Sequence, residues 1–237
     1  SALDYPGVIQ MTKHFVRQID KLKEMILSLG GLVERSVENA IRAIEDRDPA
    51  LARRVIDGDR AIDLMEIDVE EECLHTLALY QPVAADLRFV VSIVKINNDL
   101  ERIADLAVNL AEQAVFLADE PTADGIPFDL AGESRRVRSM LKHSLDALVN
   151  GDLKLAEAVR EADSEVDQIP RDMYWQVEKA IHDNPADAAR LIHLLNVSRQ
   201  LERIADHTVN IAEDVIYMAR GEILRHSKTP PRHAESI

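Results

Sequence analysis

Glu101 and Asp105 stand four residues apart in Leu100-Glu101-Arg102-Ile103-Ala104-Asp105, and Glu202 and Asp206 repeat that spacing in Leu201-Glu202-Arg203-Ile204-Ala205-Asp206. The copies are offset by 101 residues. Their likeness continues through Val108-Asn109-Leu110-Ala111-Glu112 and Val209-Asn210-Ile211-Ala212-Glu213. On a helix, Glu202, Asp206 and Glu213 fall at about 100°, 140° and 120° from Leu201, a narrow acidic line beside the core stripe. Glu101, Asp105 and Glu112 do the same by the offset. Carboxylates at i and i+4 repel and destabilise an isolated helix by a few tenths of a kcal/mol, so positive charge is expected between them.

Two further pairs share this spacing, Asp59 with Asp63 and Asp163 with Asp167; the first belongs to a line that runs on through Glu66 and Glu70. Such all-oxygen sets suit hard cations: magnesium, manganese, calcium or iron. Zinc prefers the histidine and cysteine that are missing from these pairs. The alternative is a solvated acidic face offset by Arg102 and Arg203. Recurrence in duplicated halves favours metal, because a single pair would not justify it.

Other constellations carry less. Glu72-Cys73-Leu74-His75 has the Glu-x-x-His spacing of carboxylate-bridged dimetal bundles, but that architecture needs two such motifs and the chain has one. His207 lies about 100° round the helix from Asp206 and is expected at the surface. Met173 and Trp175 are expected to be packing residues. No glycine-rich phosphate loop, Gly-x-Ser-x-Gly elbow or Cys-x-x-Cys pair is present.

Helices must position these pairs. Hydrophobic residues make up 46% of the 237, aromatics only 4%, and glycines total 8, a balance that favours aliphatic helix packing over a turn-rich sheet protein. Apolar residues recur at three- and four-residue steps from Phe15 to Ile44, with Gly30-Gly31 marking a bend or a close helix contact. Asp48-Pro49 reads as an N-cap with proline at the first helical position, opening a second helix towards Tyr80. Pro82 ends that helix before a third, which carries the first acidic repeat to about Ala118. A fourth helix runs through Val137, Met140, Leu141, Leu145 and Leu148. Asn150-Gly151-Asp152 ends it and caps a fifth, which is kinked at Pro170. Asn184-Pro185 breaks the chain before the sixth.

Asp48, Ala52, Val55, Asp59 and Asp63 match Asp152, Ala156, Val159, Asp163 and Asp167 at an offset of 104. The expected architecture is therefore all-α: two tandem three-helix bundles related by internal duplication. The first bundle spans 1–120, with Ser1 to Gly7 read as a short leader within it, a linker spans 121–132, the second bundle spans 133–226, and 227–237 form a disordered tail.

A formal charge of -15 disfavours nucleic acid and anionic membrane surfaces as partners. The single cysteine, Cys73, cannot form an intramolecular disulfide, and no secretory signal pattern opens the chain. A cytoplasmic location is expected. The longest apolar run, Phe89 to Ile96, is far shorter than the roughly 20 residues of a membrane span.

These residues resemble the PhoU family, accessory proteins of bacterial phosphate transport and regulators of the phosphate regulon. The likeness rests on Asp59-x-x-x-Asp63, on Gln81-Pro82 followed by Ala85-Asp86-Leu87-Arg88, on Leu100-Glu101-Arg102-Ile103 with Asp105, and on the second-half counterparts. It covers nearly the whole chain. The resemblance implies two multinuclear clusters, of iron before manganese, magnesium or calcium. One would be held by Asp59, Asp63, Glu101 and Asp105, the other by Asp163, Asp167, Glu202 and Asp206, with Asn109 and Asn210 as weaker candidates. Ala104 and Ala205 stand where many members have glycine. Also implied are a homodimer and a non-enzymatic regulator that contacts the phosphate ABC transporter's ATPase and a phosphate-sensing histidine kinase, repressing signalling when phosphate is plentiful. The competing expectation from another class is a carboxylate-bridged dimetal oxidase or hydrolase, which needs an open-coordinated ion and a substrate pocket.

Overall fold

Asp48 and Asp152 start the second helix of each half in the same way. Asp48 Oδ1 accepts from the amides of Ala50 and Leu51, both at 2.9 Å, and Asp152 Oδ1 accepts from those of Lys154 and Leu155 at 3.0 and 3.2 Å. Each satisfies two amide donors that a helix leaves unpaired in its first turn. Asp48→Ala and Asp152→Ala should each lower stability by about 1 kcal/mol, read by urea denaturation; no change in either would mean that the caps do not stabilise the start of the two helices.

The computed structural model describes residues 6–120, 128–166 and 169–221, with side chains described from 13 to 120, 128 to 162 and 173 to 221. The helices are α1 (Pro6–Glu45), α2 (Pro49–Tyr80), α3 (Ala84–Asp119), α4 (Leu130–Asn150), α5 (Leu153–Val166), α6 (Ile169–Asp183) and α7 (Ala188–Arg220), with a 3₁₀ turn at Pro185–Asp187 before α7. No strand occurs among the described residues.

The punctuation follows the local chemistry. Gln81 adopts a left-handed conformation with φ 46° after α2, Pro82 follows, and α3 restarts at Ala84. Gly151, with φ 62°, closes α4, and Gly221, with φ 73°, closes α7; glycine reaches this region without the Cβ penalty. At Gly30, α1 comes so close to α4 that a Cβ would lie 2.9 Å from Leu145 Cδ2. The glycine pair thus marks a helix crossing inside a continuous helix.

Two boundaries differ from expectation. The segment read as a leader already contains the start of α1, at Pro6. The last three residues of the expected linker, 130–132, form the first turn of α4, where Asp129 Oδ1 accepts from the Gly132 amide at 2.8 Å. The fifth helix is described as α5 up to Val166 and as α6 from Ile169, and residues 167–168 between them lie outside the described residues. Residues 121–127 of the linker and the tail 227–237 lie outside the described residues.

Both acidic repeats lean on the stripe their periodicity requires. Leu194, Leu201, Ile204, Ala205, Thr208, Ile211, Ala212 and Val215 are all buried, as are Leu100, Ile103, Ala104, Leu110 and Ala111. The large core is continuous across the halves. It is sealed where α3 and α7 run antiparallel, because Lys95 meets Asp214 while Gln113 meets His193. A smaller cluster of Met173, Val177, Leu191 and Leu195 seats α6 on α7. Met173 packs as expected, whereas Trp175 on the outer side of α6 is 70% exposed.

Candidate metal centre

In the first half, α2 and α3 pack side by side and turn their acidic lines towards each other. The Asp59 carboxyl is held above its ordinary range by burial, then by repulsion from Asp63 and Asp105. That of Glu101 is raised by burial, then by Asp105, with Arg102 opposing and Glu66 and Asp63 adding. Glu66 is raised by burial, then by Glu70 and Asp63, against the hydrogen bond from Asn97. Repulsion of this kind places Asp59, Asp63, Glu101 and Asp105 within electrostatic reach of one another across α2 and α3, with Glu66 among them.

Arg102 is the expected neighbouring cation: its Nε lies 3.4 Å from Glu101 and its Nη1 3.5 Å from Asp105. The arginine side chain is half exposed, and such a pair contributes under about 1 kcal/mol. It does not complete the site. Asp59 Oδ1 is buried with no hydrogen-bond partner, while Glu101 Oε2, also buried, has only its ion pair with Arg102. Buried carboxylate oxygens that lack hydrogen bonds and repel one another fit a hard cation. Among the described residues, however, no three acidic, histidine or cysteine side chains are arranged to hold an ion, so closing on one requires side-chain rotation.

In the second half, Glu202 is half-buried and Asp206 exposed on α7. The backbone of Asp163 belongs to α5, but its side chain, and all of Asp167, lie outside the described residues. Farther along the same face, Glu213 Oε1 is 3.3 Å from Arg160 Nε of α5. That end of the acidic line is an ion pair.

The repeated motif has a buried polar neighbour that its spacing does not reveal. Glu133 on α4 has no exposed surface; its Oε1 accepts from Ser198 Oγ at 2.8 Å, and its Oε2 has no hydrogen-bond partner. Burial pushes its carboxyl up to about 7, with Ser198 and Arg136 opposing and Glu202 and Asp129 adding. The signal was present in the sequence, because 133 lies four residues before Val137 on the apolar stripe of α4.

Other candidates resolve differently. His207 faces the opposite half: its Nδ1 is 2.8 Å from Asp99 Oδ1, and Asn210 Nδ2 donates to the same oxygen at 3.1 Å. His207 is therefore a seam residue rather than a surface histidine, and Asn210 is engaged there too. Glu72 of the Glu-x-x-His motif bonds Gln18 and Lys21 of α1, and Cys73 is buried with its thiol pushed up to about 12 by desolvation, then by Glu72 and Glu70. This motif ties α2 to α1.

The sequence profile of the PhoU domain matches residues 26–114 and 131–215, one copy in each half. Among curated proteins, the phosphate-specific transport system accessory protein PhoU homolog of Aquifex aeolicus is 37% identical, over 89% of this chain and 95% of its own length. The crystal structure of PhoU from Pseudomonas aeruginosa superposes with a TM-score of 0.85 at 36% identity, covering 88% of this chain and all of that one. The phosphate transport system regulatory protein PhoU of Streptococcus pneumoniae gives 0.77 at 28% identity, over 88% of this chain and 98% of its own.

Proposed function

The chain belongs to the PhoU family, and from that premise we propose that it is a metal-binding regulator of phosphate uptake and of the phosphate-starvation response. Its relatives are named for accessory and regulatory roles in phosphate transport, not for an enzymatic activity, and the dimetal oxidase or hydrolase has no support among them. It acts by contact with the phosphate ABC transporter's ATPase and a phosphate-sensing histidine kinase, repressing signalling when phosphate is plentiful. No described helix is long and apolar enough to cross a membrane.

The observation that carries the metal assignment is the mutual repulsion of Asp59, Asp63, Glu101 and Asp105 across α2 and α3 beside the buried, unpartnered Asp59 Oδ1. Asp163, Asp167, Glu202 and Asp206 form the equivalent set. Iron is the first candidate, then manganese, magnesium or calcium. A bound hard cation supplies the positive charge that offsets four to five carboxylates. The protein's part is to hold those carboxylates on two packed helices.

Ion binding stabilises the folded state by about 2.7 kcal/mol per site when the free ion is at a hundred times its dissociation constant. A chelator should therefore lower the melting temperature. Glu202→Gln with Asp206→Asn should remove that response in the second half and leave the metal-free protein equally or slightly more stable, since a helical repulsion is also removed. A flat melting temperature across chelator, manganese, iron and magnesium, with no bound metal by elemental analysis, would end the assignment for all eight residues. The regulatory half is tested separately: the chain should retain the transporter ATPase or the kinase in a pulldown, and deleting its gene should raise starvation-gene expression in phosphate-rich medium. Unchanged expression, with the protein known to be made, counts against it.

A further inference from the structure

From Ala61 to Tyr80, α2 carries Asp63, Glu66, Asp68, Glu70, Glu71 and Glu72 and no lysine or arginine. Glu66 and Glu72 turn inward, to Asn97 of α3 and to Lys21 of α1. The other four are exposed. Among them stand Leu64, Ile67 and Leu74, exposed by 56, 47 and 57%, although α2 packs against α1 on one side and α3 on the other. A single exposed leucine is ordinary. These three fall within about 80° of one another around the helix and form a ridge about 15 Å long. Asp63 and Glu70 border the ridge at about 20–40° on one side, Asp68 at about 40° on the other, and Glu71 lies within it. The duplicated fold does not require this face to be apolar. At the offset of 104 that aligns the two halves, the buried Val69 and Cys73 map onto the buried Met173 and Val177, so the register holds along this stretch. The same offset maps Leu64, Ile67 and Leu74 onto Gln168, Arg171 and Glu178, and Glu71 onto Trp175. Polar and apolar residues are thus exchanged between the halves at these places.

We propose that the outer face of α2 docks a basic amphipathic helix of a partner protein, with Leu64, Ile67 and Leu74 as its apolar anchors. Their spacing of three and seven residues presents knobs along one straight line, which a second helix laid beside α2 covers with anchors of its own at three- and four-residue steps. Charge selects among the possible occupants. Asp63, Asp68, Glu70 and Glu71 make no ion pair with a described residue, so the positive charge that complements them must come from the partner. Two copies of this chain placed face to face by a two-fold axis would set the four carboxylates against the same four. An anionic lipid surface or a nucleic acid would be repelled in the same way. Lysine and arginine on the flanks of an apolar helix stripe satisfy both the ridge and its rim.

Full-length protein with the photo-cross-linker p-benzoylphenylalanine in place of Ile67 is expressed in its native host and irradiated in the living cell, and the cross-linked peptides are sequenced by mass spectrometry. The same label in place of Glu178, the matching position on α6, is the control. The label at position 67 should cross-link at least tenfold more, to a segment of another protein in which lysine and arginine flank apolar residues three and four apart. A synthetic peptide of that segment should bind the purified protein in fluorescence anisotropy. Its affinity should fall at least tenfold with Leu64→Ser and Leu74→Ser together, and at least tenfold with Asp68→Lys and Glu71→Lys together. Asp63 and Glu70 are left unchanged because they also belong to the acidic line turned towards α3. Circular dichroism melts check that each variant is folded. Cross-linking at position 67 no higher than at position 178 overturns the proposal, as does a product with a second copy of this chain, with lipid, or with an acidic segment. Affinity unchanged within twofold in the folded serine variant would show that the ridge is not the contact, and the same result in the folded lysine variant would show that charge does not select the partner; either overturns the assignment.

Discussion

Lys95→Met should destabilise the protein by about 2 kcal/mol, below the range for breaking a wholly buried ion pair because the Lys95 side chain is 34% exposed. Lys95 Nζ lies 3.0 Å from Asp214 Oδ1 across the antiparallel contact of α3 and α7, and the Asp214 side chain is only 4% exposed. The ammonium also sits 4.9 Å from the centre of the Tyr217 ring, an added attraction that methionine cannot reproduce. Methionine keeps the unbranched stem, so the loss isolates the charge from the packing. For a domain of this size the change corresponds to roughly 4–8 °C in melting temperature. Replacing both residues, Lys95→Met with Asp214→Leu, should recover most of the loss, because a buried pair exchanged for apolar groups is often neutral or better. A single variant within about 0.5 kcal/mol of wild type, the range of an ordinary surface substitution, would show that the seam does not depend on this pair.

Helix periodicity made much of this fold legible. Every residue of the stripe through Leu194, Leu201 and Val215 is buried, and Asp48, Gly151 and Pro82 end or begin helices where their backbone chemistry requires. Those are local properties, written in spacing and φ preference. The seam is a different kind of fact. Asp99, His207, Asn210, Lys95 and Asp214 meet only because α3 lies against α7, and nothing in either helix's own period specifies the neighbour. Antiparallel pairing of duplicated helices also leaves an asymmetry. The repeat maps Asp99 with His207 onto Gln200 with Leu106, and Gln200 Oε1 is buried without a hydrogen-bond partner. The backbone kept its approximate two-fold relation while the chemistry diverged. The candidate site divides along the same line: i, i+4 spacing revealed the paired carboxylates, whereas Glu133 reaches Ser198 from a helix with no acidic pair.

Glu133→Gln should stabilise the protein in chelator at neutral pH and above by about 3 kcal/mol, an effect that vanishes in acid. The wild-type carboxyl is pushed up to about 7 from an ordinary value of 4.5, burial being the main cause. Between those values the folded state binds a proton that the unfolded state has released. Stability therefore falls as pH rises through the window, the slope following the excess of protons bound by the native form. A tenfold change in a protonation equilibrium is worth about 1.4 kcal/mol, so the separation between the folded and unfolded values amounts to about 3 kcal/mol. Glutamine keeps the acceptor for Ser198 and nearly the same volume while removing the titrating charge. The difference between variant and wild type is the quantity to follow, because Asp59, Glu66 and Glu101 are also raised and slope in the same direction in both proteins. Urea denaturation from about pH 4 to 8 in chelator should show coincident stabilities near pH 4 and a gap that opens to its full size by about pH 7.5. A constant difference across the pH range would mean that Glu133 is ionised throughout in the folded protein, with enough positive charge already around it to offset its burial.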